Sequence, residues 1–410
     1  MTASPQSKYA ITFVFITVFL DMVGFGLIMP VLPNLIEDVG QMDVAHASLI
    51  GGWLFFAFSV TQFLFGPIMG NLSDAFGRRP LLLLAVAGLG VDYMIMALAP
   101  NLTWLFIGRL FAGFCGASYV VANAYIADVT VPENRAKAFG MMGAAFGVGF
   151  VIGPAIGGLL GTFGPRVPFF VAAGVSVLNL IYGYFILPET LALTQRRHFE
   201  WSRANPLGTF KVFRTYKGVL PLCAVFFIYV FGTSVYPAIW PFWGVAKFGW
   251  SSATIGLTLA AFGIVSAVVQ GGLTGPAVKI FGERRLALLG LVIAVIAAIG
   301  YGLAYSLTIV LIMLLVHGPE GFVPPMLTAM ISKEVPADAQ GEMQGGIASA
   351  QSLAMLLGTV VFSQIFGYFL TPEAPFISPN IAFFAAAAFS LVALVLFIVN
   401  LKSHSQESAP

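Results

Sequence analysis

Long apolar runs dominate this chain. Hydrophobic residues make up 59% of its 410 residues and charged residues only 9%, so most of the surface has to face lipid. Twelve runs are each about 20 residues long, which is the length of helix that crosses the hydrocarbon core of a bilayer. As spans 1 to 12 they lie at 9–32, 47–69, 80–99, 103–125, 137–160, 167–187, 218–242, 252–274, 286–306, 308–331, 344–369 and 379–401. The sequence therefore predicts an all-α integral membrane protein with twelve transmembrane helices.

The longest polar stretch divides the chain into two halves. Residues 188–217 separate span 6 from span 7 and hold six of the basic residues. We predict an N-terminal six-helix bundle over 1–187, a cytoplasmic linker over 188–217 and a C-terminal six-helix bundle over 218–410.

Lysine and arginine residues determine the predicted orientation. When both termini and the loops that follow even-numbered spans are placed on one side, that side holds 16 of the 19 basic residues. The opposite loops hold only Arg166 and Lys247, and Arg109 lies inside span 4. Because basic loops stay in the cytoplasm, we expect both termini and the linker to be cytoplasmic. The net charge of +2 does not suggest binding to nucleic acid.

The two halves contain similar sequences at the same place. GNLSDAFGRRPLLLL begins at residue 70 and GPAVKIFGERRLALL begins at residue 275, an offset of 205 residues. The offset aligns Gly70 with Gly275 and Gly77 with Gly282. Two six-span repeats of this kind are typical of the major facilitator fold, in which the substrate site lies near the bilayer midplane. We therefore predict twelve helices in two six-helix pseudo-repeats that work by alternating access.

Seven short motifs follow one another along the chain. They are FLDMVGFGLIMPVLP (19–33), GNLSDAFGRRP (70–80), GVDYM (90–94), GRLFAGFCGAS (108–118), FGVGFVIGPAIGG (146–158), YPAIW (236–240) and KFGWSS (247–252). In this order they resemble the motifs of the twelve-span drug:proton antiporters of the major facilitator superfamily, and within them the tetracycline exporters. The resemblance covers nearly the whole chain and implies an exporter of drugs that is driven by protons.

Three ionisable residues lie inside spans of the first half. A carboxylate at bilayer depth costs about 2.5–3.5 kcal/mol on insertion scales, so Asp21 in span 1 and Asp92 in span 3 are expected to face the protein interior. A buried carboxyl group such as that of Asp21 suits proton binding and release. Arg109 in span 4 keeps its charge and needs an acid or several carbonyl groups nearby. The resemblance implies that Asp92 and Arg109 belong to the proton pathway.

Structural roles are the alternatives for these three residues. Asp21 can be a neutral, hydrogen-bonded structural acid beside Gly24 and Gly26, and Asp92 can form a structural hydrogen bond to a neighbouring span. Arg109 can form a static ion pair that locks spans 1 and 4.

Glu320 is the only acid deep in a span of the second half. His317 lies three residues earlier, so both side chains share one helical face and form a candidate proton relay. Pro319, Pro324 and Pro325 interrupt this helix, and a position near the outer end of span 10 is the alternative. We predict a proton-coupling role for Glu320.

Aromatic and polar side chains in spans 3, 7 and 8 are candidates for contact with a drug-like substrate. Aromatic rings suit aromatic or amphiphilic ligands, although each ring also suits helix packing or anchoring at the membrane interface. A glutamine deep in a span needs a polar partner. The predicted substrate-binding residues are Tyr93, Gln270, Tyr236, Trp240 and Trp243.

A row of glycines in span 5 is the first candidate for a gate. Gly149, Gly153, Gly157 and Gly161 recur at four-residue intervals, which gives one smooth helix face, and Pro154 adds a kink. Close packing against another helix is expected whether or not this face moves.

The loop between spans 2 and 3 is the second candidate for a gate, because it combines charges with glycines. We expect Asp74 to lie against a helix N-terminus of the other half, at span 11, or to pair with Arg78 or Arg135. Such contacts would hold one conformation and break on switching. The residues assigned to this latch are Gly70, Asp74, Gly77, Arg78, Arg79 and Arg135.

Three positions depart from the tetracycline exporters. Those proteins carry an acid in span 9, where this chain has Ala294, and often a histidine in span 8, where it has Ser266. Ala75 replaces a basic residue in the loop signature. Because tetracycline leaves as a complex with a divalent metal in that family, the missing acid weakens the case for the same substrate. We hypothesise that Glu320 substitutes for it.

The sequence favours a proton-coupled antiporter that exports a tetracycline-like or other drug-like compound across the bacterial inner membrane. The alternative is a proton-coupled transporter of an endogenous metabolite. A membrane enzyme is disfavoured, because apart from the pair His317 and Glu320 the spans lack clusters of catalytic or metal-binding side chains. A receptor is disfavoured, because it would more often bring a soluble domain and the longest polar segment is only the linker, 188–217. We expect no enzymatic activity, no bound metal, no cofactor besides the proton gradient, and a monomer in the lipid bilayer whose partners are protons and a small molecule.

Overall fold

The computed structural model describes residues 5–116, 118–130, 132–200, 208, 212–336 and 339–407. Within these ranges the secondary structure is helical and contains no strand. The α-helices are α1 (Pro5–Ile28), α2 (Leu32–Gly40), α3 (Val44–Phe76), α4 (Arg78–Leu98), α5 (Leu102–Gly116), α6 (Ser118–Val129), α7 (Pro132–Gly161), α8 (Val167–Ile186), α9 (Val212–Thr215), α10 (Leu220–Thr233), α11 (Val235–Phe248), α12 (Ser252–Ala267), α13 (Thr274–Phe281), α14 (Glu283–Leu303), α15 (Leu307–His317), α16 (Val323–Lys333), α17 (Gln340–Tyr368) and α18 (Ile381–Glu407).

The described residues contain eleven helical segments that are long and apolar enough to cross a membrane, and a bent pair of helices makes a twelfth span. The bent pair is Val14–Ile28 with Leu32–Gly40, and its bend is 54°. Pro30 lies in the break, where its ring disfavours a helical conformation of the preceding residue. The predicted all-α fold with twelve spans is confirmed.

Two other spans change helix type near their middle. A π-helical turn over Val268–Leu273 joins α12 to α13, and a 3-10 turn over Gly318–Phe322 joins α15 to α16. Pro319 lies in the 3-10 turn and has no N–H to donate. Such irregular turns redirect the side chains on either side and are frequent at functional sites.

The repeat predicted from the sequence is visible in the helix boundaries. Helices α4 and α14 are both 21 residues long, and they begin and end at positions that differ by 205. Each follows a glycine with positive φ, Gly77 at +107° and Gly282 at +74°. Residues with a side chain rarely adopt this backbone region, so both turns require glycine. The two sequence repeats therefore fold alike around these loops.

Contacts between Cα atoms divide the chain into two compact units. The first unit comprises Met1–Met42, Ala57–Pro206 and Trp250–Gly263, and the second comprises Asp43–Phe56, Leu207–Gly249 and Ile264–Pro410. Helices α3 and α12 contribute residues to both units. The division at 187 and 218 drawn from the repeat stays a prediction.

The core of the first unit is built by α1, α4 and α6 with their neighbours. Helix α1 packs along α7, and α4 packs against α5 and α8. Buried Leu82 and Tyr125 belong to its apolar cluster, together with Val14 of α1 and Met142 of α7.

The core of the second unit lies between α10, α14, α16, α17 and α18. Its apolar cluster includes Phe226, Leu291, Leu327 and Phe397, all of which are buried. Helix α14 packs against the 3-10 turn that carries Glu320, and Tyr229 of α10 bonds to Glu320 itself.

Candidate functional site

A cavity of about 230 Å³ lies within the first unit. Three of its walls come from α1, α4 and α5, which carry the ionisable residues predicted from the sequence. Asp21, Asp92, Tyr93 and Arg109 all line it. The structure thus brings together four predicted site residues that are far apart in the sequence.

Asp92 and Arg109 form a buried ion pair in the wall of this cavity. The guanidinium group of Arg109 donates a hydrogen bond to Oδ2 of Asp92. Asp92 is fully buried, Arg109 is 9% exposed, and the guanidinium also lies 5.9 Å from the ring centre of Phe58. Gly108 permits this approach, because a Cβ atom there would lie 2.8 Å from Oδ1 of Asp92. The partner of Arg109 is therefore on α4, and the alternative ion pair between spans 1 and 4 is wrong.

The ion pair leaves hydrogen-bonding capacity unused. Oδ1 of Asp92 and Nε of Arg109 are buried and have no hydrogen-bond partner among the described residues. Breaking or losing one partner of a buried charge pair is costly, because the remaining charge stays uncompensated. The pair is therefore sensitive to a proton or a polar ligand that reaches the cavity.

Asp21 and Tyr93 face the same cavity from α1 and α4. Asp21 makes no hydrogen bond or ion pair within the part of the chain that the structure describes. The Tyr93 hydroxyl group is accommodated by Gly24, where a Cβ atom would lie 2.6 Å from it. Asp21 is thus a carboxyl group that is available to a proton or a ligand.

The glycine face of α7 packs on α1, as the sequence predicts. A Cβ atom at Gly153 would lie 2.8 Å from the carbonyl oxygen of Val23, and one at Gly157 would overlap the backbone of Leu27. Pro154 contacts the same helix, because its Cδ would lie 2.6 Å from a Cβ atom at Gly26. These residues hold α1, and with it Asp21, close to α7. Their gating role stays a prediction.

Glu189 binds the start of α4 in the loop between spans 2 and 3. Its carboxylate accepts hydrogen bonds from the backbone N–H groups of Arg78 at 2.9 Å and of Arg79 at 3.3 Å. An acid at a helix N-terminus is favoured by the unpaired N–H groups and the helix dipole. Gly77 makes room for it, because a Cβ atom at this position would overlap the Glu189 carboxylate. Glu189, at the start of the linker, thus holds the loop between spans 2 and 3 in place, and we call this contact with the start of α4 the clamp.

Arg78 is the centre of an ion-pair network in this loop. It contacts Asp74 at 2.6 Å, Asp128 at 3.1 Å and the Ser73 hydroxyl group at 2.6 Å. Asp74 therefore has one of its predicted partners. The side chain of Arg135, another predicted partner, lies outside the described residues, and the contact of Asp74 with span 11 stays a prediction. Gly70 faces Val120, whose Cγ1 would lie 3.3 Å from a Cβ atom there.

The matching loop of the second unit carries the same ion pair with its charges exchanged. Glu283 starts α14 and binds Nζ of Lys333, the last residue of α16, at 2.6 Å. An offset of 205 places Glu283 on Arg78 and Lys333 on Asp128.

Glu320 lies in a separate buried cluster of the second unit. Its Oε2 is 2.8 Å from Nε2 of His317, and its Oε1 accepts a hydrogen bond from Tyr229 at 3.2 Å. The Tyr301 hydroxyl group lies 3.1 Å from Nδ1 of His317. His317 ends α15 and Glu320 follows in the 3-10 turn, so the pair lies near the middle of Leu307–Lys333 and not at its outer end.

The predicted aromatic substrate contacts belong to the packed core in this conformation. Trp240 and Trp243 are buried, with their ring centres 5.4 Å apart, and both pack on Tyr301. Tyr236 is partly exposed and packs against the His317 ring, with the ring centres 4.6 Å apart and the ring planes tilted by 43°. Gln270 lies exposed in the π-helical turn, beside Gly321. Substrate binding by these residues stays a prediction.

Four residues of these sites escaped the sequence predictions: Glu189, Asp128, Tyr229 and Tyr301. Asp128 had a usable signal, because the same offset that aligns Arg78 with Glu283 aligns Asp128 with Lys333. Glu189 is the second residue of the linker and offered only its position near the end of span 6. The two tyrosines offered none, since tyrosine is common in membrane helices as a packing residue.

The helix boundaries, the internal repeat and the buried ion pair define a polytopic membrane protein made of two six-span repeats. The family model of the Major Facilitator Superfamily matches residues 14–359 and 222–410, and the chain belongs to this superfamily.

Individual relatives show which members of the superfamily this chain is similar to. The tetracycline resistance protein of class C from Escherichia coli is 41% identical over 366 residues, which are 88% of this chain and 90% of that protein. Multidrug resistance protein 2 from Bacillus subtilis (strain 168) is 29% identical over 350 residues, 84% of each chain. The crystal structure of the human organic anion transporter MFSD10 (TETRAN) matches with a TM-score of 0.69 at 24% identity, covers 96% of this chain and 100% of that one, and supports the fold. The resemblance predicted from the motifs is confirmed.

Proposed function

We propose that this chain is a proton-coupled antiporter that exports a tetracycline-like or other drug-like compound across the bacterial inner membrane. The observation that carries the proposal is the buried Asp92–Arg109 pair in the wall of a cavity that Asp21 also lines. The similarity to tetracycline and multidrug resistance proteins supports the class of compound.

The coupling follows from charge. A proton on Asp92 removes the negative charge that holds Arg109, and the attraction between the two side chains is then lost. Because Arg109 stays charged, the freed guanidinium has to find another acceptor, and Asp21 is a carboxyl group in the same cavity. A substrate that binds the carboxyl groups competes with the proton for the same negative charge. Antiport requires that substrate and proton compete for the same carboxyl groups in this way.

The remaining features of the proposal concern the setting of the protein. The excess of basic residues in one set of loops supports cytoplasmic termini. We further propose that the chain works as a monomer, uses the proton gradient as its source of energy, needs no cofactor and is not an enzyme.

One observation favours a second candidate, proton-coupled transport of an endogenous metabolite. Ala294 is buried in α14 at about the place where tetracycline exporters carry an acid. A substrate that travels without a metal ion would not need that acid.

Drug susceptibility tests the proposal and separates the two candidates. A susceptible strain that expresses the chain should tolerate more tetracycline than a strain with an empty vector, and cells should accumulate less of it until a proton uncoupler is added. The Asp92→Asn variant should give no protection at equal membrane abundance. Unchanged susceptibility to tetracycline and to a panel of cationic drugs would overturn drug export and favour the metabolite.

A further inference from the structure

The second unit contains its own pair of buried ionisable side chains, outside the cavity of Asp21 and Asp92. His317 and Glu320 have side chains that are each 5% exposed, and their Nε2 and Oε2 atoms are 2.8 Å apart. They lie on either side of the junction between α15 and the 3-10 turn, near the middle of a span of 27 residues. A buried ionisable pair at this depth is expensive and indicates a role.

Hydrogen bonds hold both ends of the pair. Tyr229 on α10 donates to Oε1 of Glu320, and the Tyr301 hydroxyl group on α14 contacts Nδ1 of His317. Tyr236 on α11 packs against the imidazole ring with the ring centres 4.6 Å apart. Three phenols from three helices of the described part of the chain thus face the pair. Phenols donate or accept hydrogen bonds and do not add a fixed charge.

This arrangement accommodates two protonation states. Without an extra proton, Glu320 is a carboxylate, neutral His317 carries its hydrogen on Nε2 within 2.8 Å of Oε2, and Nδ1 accepts a hydrogen bond from Tyr301. Oε2 itself accepts no aligned hydrogen bond among the described residues. With one more proton both side chains are neutral: the carboxyl group donates from Oε2 to Nε2, and the imidazole carries its hydrogen on Nδ1 and donates it to the Tyr301 oxygen. The change in charge is from −1 to zero, and rotation of the Tyr301 hydroxyl group adapts the network to it.

We propose that His317 and Glu320 together form a second proton-binding site, which takes up one exchangeable proton as the carboxyl hydrogen of Glu320, facing Nε2 of His317, and releases it when substrate binds. The linkage to substrate rests on the proposed antiport, whereas proton binding itself does not. A metal ion fits this site poorly, because structural and catalytic zinc sites use three or four nitrogen, sulfur or carboxylate ligands and the pair supplies two.

Two measurements on the purified full-length protein test the site. The first is infrared difference spectroscopy, in which the C=O band of a protonated carboxyl group is followed as pH is varied without substrate. We expect a titrating band that Glu320→Gln removes and that His317→Gln shifts in midpoint, because the imidazole no longer stabilises the carboxylate. Glu342→Gln is the matched control, since Glu342 is an exposed acid of α17.

The second measurement counts protons released into weakly buffered solution when magnesium-tetracycline is added. Glu320→Gln should release fewer protons than the parent, by an amount approaching one per bound tetracycline, and Glu342→Gln should match the parent. Equal release by the parent and Glu320→Gln would overturn the linkage to substrate. If the parent releases none, the proposed antiport of tetracycline fails, and the infrared titration alone decides whether the pair binds a proton.

A folding defect is recognised separately. If Glu320→Gln does not give a monodisperse protein, His317→Gln and Tyr301→Phe are used, and both should shift the midpoint of the titrating band. A band that none of these variants shifts or removes, or no titrating band in the parent, would overturn the second site.

Discussion

Asp128 of α6 and Lys333 of α16 occupy the same position of the two repeats, 205 residues apart, and carry opposite charges. Asp128 pairs with Arg78 at 3.1 Å, and Lys333 pairs with Glu283 at 2.6 Å. Arg78 and Glu283 also correspond. In each unit an ion pair therefore joins the start of one helix to the end of another. The basic residue lies at the helix start in the first unit and at the helix end in the second.

The exchanged charges predict that the pair in the second unit can be reversed. Lys333 is 66% exposed, so the pair contributes no more than about 1 kcal/mol. Glu283→Lys should lower the unfolding temperature slightly through like-charge repulsion, Lys333→Glu likewise, and the double variant should regain most of the loss. The comparison is made by thermal unfolding in detergent at low salt. A double variant that loses as much as the two single variants together would contradict the account.

Gly77 and Gly282 provide a matched test of the clamp formed by Glu189. Both have positive φ, so substitution by alanine strains both backbones. Only Gly77→Ala also displaces the Glu189 carboxylate, since a Cβ atom at Gly282 has nothing within 4 Å. We expect Gly77→Ala to lower the free energy of unfolding by about 1.5–3 kcal/mol more than Gly282→Ala does, which is the contribution of a hydrogen bond to a charged group. Equal losses in unfolding temperature would show that the clamp contributes nothing.

The glycine face of α7 predicts a position-dependent effect of alanine. Gly157→Ala should separate α1 from α7, because its Cβ would overlap the backbone of Leu27. Gly147→Ala on the same helix is the control, since its Cβ meets nothing within 4 Å. Transport and unfolding temperature should fall for Gly157→Ala and stay near the parent values for Gly147→Ala. A similar result for both variants would mean that helix propensity and not packing decides.

Asp43 predicts a dependence of stability on pH. It precedes α3, and hydrogen bonds from the backbone N–H and ring of His46 lower the pKa of its carboxyl group below the usual range. A lowered pKa contributes stability above the pKa of the unfolded chain, and the contribution is lost as pH falls through the pKa of the folded protein. Asp43→Ala should therefore cost up to about 1 kcal/mol at neutral pH and less in acid. Asp43→Asn, which keeps an acceptor oxygen, should lose less. If Asp43→Ala lowers the free energy of unfolding by the same amount at neutral and at acidic pH, the prediction is contradicted.

The broad fold was predictable because it depends on the length of apolar runs and on an offset of 205 residues. Where spans break was less predictable. Pro30 interrupts span 1, yet Pro154 lies inside the unbroken helix α7. A proline breaks a helix only where neighbouring packing does not compensate for the lost hydrogen bond, and packing is not visible in a sequence.

The two basic residues that the orientation rule left on the opposite side have a structural explanation. Arg166 donates to the carbonyl oxygens of Ala97 and Ala99 at the end of α4, and Lys247 donates to that of Gly302 at the end of α14. Carbonyl groups at a helix C-terminus lack partners and favour a cation. Since Ala97 and Gly302 also differ by 205 residues, each repeat binds one basic side chain at the same helix end.

The candidate site was predictable in its members but not in its pairing. A charged residue inside an apolar span is conspicuous in the sequence, and this signal identified Asp21, Asp92 and Arg109. The sequence did not show whether Arg109 pairs with α1 or α4, because that choice depends on Gly108 and on the rotation of α5. Glu189 was missed for a related reason, since it acts through backbone N–H groups that every helix start has.

The coupling role of the Asp92–Arg109 pair is tested most directly in proteoliposomes with an imposed pH gradient, acid inside. The parent protein should accumulate magnesium-tetracycline inside while protons leave, and an uncoupler, which lets protons leave without the protein, should abolish the accumulation. Asp92→Asn should show neither movement, whereas Asp38→Asn, which alters an exposed ion pair with Arg166, should behave as the parent. Proton-driven accumulation by Asp92→Asn at the parent rate would contradict the account.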